Sequence, residues 1–67
     1  MADYRFYRLS GGRILNAEVR ECASDDDARS TGRVLLAEAT PICDAVEVWQ
    51  LARLVGTVRR ADPPAAA

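Results

Sequence analysis

Apolar and polar residues alternate with a period near two in four short stretches of this chain. In one longer stretch, between the second and the third, they recur with a period near 3.6. A period of two sends successive side chains to opposite faces of a strand, whereas 3.6 draws one apolar stripe down a helix. The predicted order is strand, strand, helix, strand, strand.

The helix, predicted over 25–39, carries the most local signals. Ser24 can cap it by accepting from the amide of Asp27, and Asp27 can reach back in the manner of a capping box. Asp25, Asp26 and Asp27 set negative charge against the positive end of the helix dipole. At 100° per residue Ala28, Gly32, Leu35 and Ala39 share one face, Thr31 and Leu36 flank it, and Arg29, Ser30, Arg33 and Glu38 point away. Val34 lies off the stripe. Gly32 costs about 1 kcal/mol relative to alanine inside a helix, and on the buried face it marks close approach to a sheet. Pro41 disfavours helical geometry at Thr40 and ends the element.

The predicted strands span 4–9, 14–22, 45–50 and 53–58. The first has Tyr4 and Phe6 on one face and Arg5, Tyr7 and Leu9 on the other. Gly11-Gly12 can supply positive φ at both central positions of a two-residue hairpin. In the second strand Leu15, Ala17 and Val19 face one way and Asn16, Glu18 and Arg20 the other, while Ile14 and Cys22 break the phase, which a bulge would reconcile. Val46 and Val48 oppose Glu47 and Trp49. Leu54, Gly56 and Val58 oppose Val55 and Thr57. The link at Leu51-Ala52 is chemically weak, since neither residue favours positive φ.

The expected fold is α+β, a ββαββ domain over 1–59, with a tail over 60–67 expected to be disordered. The helix carries the chain across the sheet, giving an antiparallel order 2-1-3-4 with the helix on one face. Tyr4, Phe6, Leu15, Ala17, Val19, Val46, Val48, Leu54 and Val58 are the expected helix-facing set. Tyr7, Leu9, Trp49 and Val55 are then left on the uncovered face, a larger apolar patch than a monomer usually exposes, so a second copy or another protein is expected to cover it.

Composition narrows the chemistry. The 67 residues suffice for one small core, with nine basic and ten acidic residues giving a net charge of −1 and no whole-molecule field to attract a polyanion. All nine basic residues are arginine. No stretch has the length of a signal peptide or membrane span, so the expected location is the cytoplasm. There is no histidine, the commonest general base and metal ligand. Cys22 and Cys43, at opposite ends of the helix, are expected to be free thiols. Neither has an imidazole to activate it. The triple aspartate lacks a supporting oxygen cage for a cation. No catalytic residue, cofactor or metal is therefore expected, and the chain is expected not to be an enzyme.

The stretches Tyr4-Arg5-Phe6-Tyr7, Asp25-Asp26-Asp27-Ala28, Val46-Glu47-Val48-Trp49 and Arg53-Leu54-Val55-Gly56, with the turn glycines, resemble a group of short proteobacterial proteins of unknown function. The resemblance implies the ββαββ fold and no activity. Where that group tends to place a glycine in the second hairpin, this chain has Leu51-Ala52. A fainter similarity runs to the strand-and-helix antitoxins of bacterial toxin–antitoxin pairs. The expected role is a non-enzymatic protein-interaction module, homodimeric through the uncovered sheet face. The alternative is a nucleic-acid-binding or antitoxin-like regulator using Arg5, Tyr7, Arg8 and Arg53, since interleaved arginines and aromatics on a sheet can contact phosphates and stack bases.

Overall fold

A computed structural model describes residues 1–60. Strands β1 (Ala2–Ser10) and β2 (Arg13–Cys22), helix α1 (Asp25–Glu38), and strands β3 (Ala45–Gln50) and β4 (Arg53–Arg59) follow in that order. All strand pairings are antiparallel and the sheet order is β2-β1-β3-β4, with α1 packed on one face. This is the expected ββαββ arrangement.

Local chemistry sets the boundaries. Gly11 and Gly12 adopt φ of 56° and 85°, as the two-residue turn requires. The Ser24 hydroxyl accepts from the Asp27 amide at 3.1 Å. The Asp27 carboxylate reaches back one residue further than a standard capping box, accepting from the Ala23 amide at 2.9 Å. The helix ends without a glycine or a basic residue in its last turn. Instead Arg60 donates to the carbonyls of Leu36 at 3.2 Å and Cys43 at 2.8 Å, supplying from the far end of β4 the cation that the helix C-terminus lacks. The Arg60 amide also donates to the Asp44 carbonyl at 3.0 Å. Arg60 therefore belongs to the folded domain, one residue past the expected boundary, and the remainder of the predicted tail lies outside the described residues.

The core lies between α1 and the sheet. Tyr4, Phe6, Cys22, Ala28, Leu35, Leu36, Cys43, Val46 and Val48 form one buried cluster, with Val55 and Val58 packed against it. A Cβ added to Gly32 would sit 3.1 Å from Val48 Cγ2 and 3.3 Å from Val58 Cγ2, so the missing side chain is what lets the helix approach β3 and β4. Both cysteines are free and buried.

Two bulges alter the predicted facing. Between β1 and β2 the register shifts at Arg8/Leu9, leaving Leu15 as the extra residue. Between β3 and β4 it shifts at Val48/Trp49, leaving Val55 extra, so that Leu54 pairs with Trp49 and Gly56 with Val48. A bulge changes the phase of side chains along its strand. Val55 is consequently turned to the core and Leu54 to the uncovered face, the reverse of the expectation. Ala17 and Val19 are also corrected, since they pair with Tyr7 and Arg5 and so lie on the uncovered face. The helix sits mainly over β3 and β4, and apart from Cys22, which is buried against it, the helix-side face of β2 is open to water, where Asn16, Glu18 and Arg20 are at no disadvantage.

Candidate interaction surface

The pairing registers arrange the uncovered face in three rows, each crossing the sheet in the order β2, β1, β3, β4. Val19, Arg5, Trp49 and Leu54 form one, Ala17, Tyr7, Glu47 and Thr57 the next, and Ile14, Leu9, Ala45 and Arg59 the third. Ile14 is 62%, Val19 58% and Leu54 48% exposed. Tyr7 and Trp49 are half-buried. Water therefore meets an aliphatic margin on either side of an aromatic centre.

Of the four residues expected to form an interface, Tyr7 and Trp49 lie on this surface. Leu9 shares its face by strand alternation but is only 8% exposed, so it adds little accessible area. Val55 packs on the core side. Val19, Leu54 and Ile14 take its place. The signal that could have found them was the same alternation read with a bulge at Leu15 and at Val55.

Two of the charged groups on this face, Glu47 and Arg5, sit against aromatic neighbours. Glu47 accepts from the Trp49 indole nitrogen at 3.0 Å. Arg5 lies 3.5 Å from the Tyr7 hydroxyl, a long contact that raises its already high pKa. Neither Arg5 nor Glu47 makes an ion pair among the described residues.

The four residues of the nucleic-acid alternative do not share one surface. Arg5 and Tyr7 are on the uncovered face. Arg8, on the opposite face, pairs with Glu18 at 3.1 Å and donates to the Asn16 side-chain amide oxygen at 3.1 Å. Arg53 binds Asp25 through both carboxylate oxygens at 2.9 and 3.0 Å. Two of the four arginine and aromatic groups are thus already spent on acidic or amide partners. Glu18 in turn is held below the usual carboxylate range by its hydrogen bond from Arg20, with Arg8 adding to the effect.

A cleft of about 450 Å³ borders the surface, lined by Asp3, Tyr4, Arg5, Val19, Leu51 and Ala52. Among the described residues no three of Asp, Glu, Cys or His are grouped as metal ligands. No helix there is long and apolar enough to cross a membrane. Set against protein-family models, curated proteins and solved structures, the chain matches none.

Proposed function

We propose that the protein acts through protein contact, as a homodimer stacked on the uncovered sheet face. The observation that carries this reading is the pairing of two half-buried aromatics, Tyr7 and Trp49, with three exposed aliphatics, Ile14, Val19 and Leu54, on one side of a sheet that has a single helix on the other. Burying apolar area of this kind stabilises by roughly 25 cal/mol per Å², and a small domain with one helix gains proportionately more from it than a large one. Light scattering across a wide concentration range tests the reading. A mass of two chains, lowered to one in Trp49→Ala with the circular dichroism unchanged, supports it. A wild-type mass of one chain at millimolar concentration sinks it.

The second reading, a nucleic-acid-binding or antitoxin-like regulator, has narrower support, because only Arg5 and Tyr7 of its residues share a face. Titration with short single-stranded RNA at low and moderate salt decides it, since binding driven by phosphates weakens steeply with salt.

A further inference from the structure

Resting on the homodimer reading, we infer that the two copies stack about a two-fold axis parallel to the strands between β1 and β3, so that Arg5 of each copy covers Trp49 of the other and meets its Glu47. Stacked sheets keep their strands within about 30° of one another, and a symmetric contact presents the same patch twice, so the axis must lie in the interface, along the strands or across them. The three rows distinguish these cases.

An axis across the strands through the middle row sets Glu47 against its own copy, two carboxylates facing each other in a seam that excludes water. Juxtaposed like charges of that kind are strongly unfavourable. An axis along the strands, between the two central ones, lays each row over its own reverse. In the first row Val19 then lies over Leu54 of the second copy, and Arg5 over Trp49. In the middle row Tyr7 lies over Glu47 and can donate its hydroxyl to it. No like charges oppose.

The electrostatics of the single copy suit this arrangement. Arg5 is exposed, and its guanidinium makes only a long contact, 3.5 Å, to the Tyr7 hydroxyl. The Glu47 carboxylate is held at the edge of the indole, 3.0 Å from its nitrogen. A guanidinium placed over that ring gains a cation–π contact and lies beside the carboxylate. Each copy brings one such cation and one such anion, so the two Arg5–Glu47 pairs cancel in charge.

Charge reversal tests the pairing. Arg5→Glu alone sets Glu against Glu47 twice, and Glu47→Arg alone sets Arg against Arg5 twice, so each variant should dimerise about 100-fold more weakly than wild type. Mixed in equal amounts they present only opposite pairs, and a heterodimer should form within about 10-fold of the wild-type affinity. Circular dichroism checks that each variant is folded. If the wild type dimerises but the mixture stays monomeric, or if either variant dimerises normally alone, the pairing is overturned while the homodimer reading stands. If the wild type is itself monomeric, the homodimer reading fails.

A second measurement does not depend on charge. Val19→Cys mixed with Leu54→Cys should cross-link through a short bismaleimide, the native cysteines being buried, and Val19→Cys alone should not. The reverse pattern overturns the axis.

Discussion

Arg53 grips Asp25 with both terminal guanidinium nitrogens, at 2.9 and 3.0 Å, tying the start of β4 to the first residue of α1. Tyr4 adds a third bond, its hydroxyl donating to the same carboxylate at 2.9 Å from β1. One aspartate of the acidic run thus joins the helix to two strands, a role beyond its interaction with the helix dipole. The Arg53 bond first and the Tyr4 bond second hold its pKa at about 2, below the ordinary 3.8.

A depressed carboxylate pKa means that the folded state takes up the proton less readily than the unfolded chain. The stability it contributes is fully present above about pH 4 and is lost as the pH falls towards 2. Asp25→Asn should therefore lower stability at neutral pH and flatten the acid limb in this window, as measured by urea midpoints at several pH values. An acid limb as steep as that of wild type would place the titration on other carboxylates. Tyr4→Phe should produce part of the same flattening.

At the second hairpin, Leu51 is 93% exposed and has a φ of 55°, where a side chain is strained. Leu51→Gly removes the strain at the cost of chain entropy, for a net stabilisation of about 0.5–1 kcal/mol and a Tm rise of a few degrees. A fall in Tm would show that the leucine side chain has a compensating contact. The sequence flagged this turn as weak, and the positive φ is the physical content of that weakness.

Gly32→Ala sets two effects in opposition. Helix propensity favours alanine by about 1 kcal/mol, while overpacking a filled core costs about 1–3 kcal/mol. The added methyl would meet valines on two strands at 3.1 and 3.3 Å, both part of the packed helix–sheet layer, so the cost should prevail by about 1 kcal/mol in chemical denaturation. A stabilised variant would mean that the helix can lift from β3 and β4 without loss.

Arg60→Ala should expose the end of the helix. The guanidinium bonds to Leu36 and Cys43 are charge-assisted and close the last turn, so their loss should cost about 1–2 kcal/mol. Hydrogen exchange should accelerate in the last turn of α1 and at Cys43 while the amides of β1 keep their protection. Uniform acceleration would point to global destabilisation instead.

The elements and their order are legible because each rests on local chemistry: the two glycines, the Ser24 cap, Pro41, and periodicity over six to ten residues; the sheet order follows instead from the connection rules for a helix that crosses the sheet. Helix position was less so. Nothing in the sequence of β2 says that α1 leans towards β3 and β4, and without that the apolar residues Ala17 and Val19 were assigned inward. Arg29 was likewise expected to point away, yet its stem crosses Gly56, where an added Cβ would lie 3.4 Å from its Cδ. The bulge in β2 is legible in the broken phase at Ile14, and Leu15 is its extra residue, whereas the bulge in β4 leaves the alternation around Val55 unbroken and is defined only by the register of β3.

The bulge at Val55 makes the sharpest contrast between neighbours. Val55 packs against the buried cluster, while Leu54 pairs with Trp49 on the uncovered face and is 48% exposed. Val55→Glu should set a carboxylate at the partly buried margin of the core and lower the Tm clearly, because lost apolar packing and partial desolvation of the charge both oppose folding. Leu54→Glu should leave the monomer's circular dichroism and Tm almost unchanged, because its side chain stays in water. In the proposed homodimer it should nevertheless weaken association, lying over Val19 of the second copy. Thermal denaturation of the two variants reads the bulge directly, and light scattering of Leu54→Glu reads the interface. If Leu54→Glu is the variant whose Tm falls, the strand has the uninterrupted alternation of its sequence and the facing described for β4 is wrong.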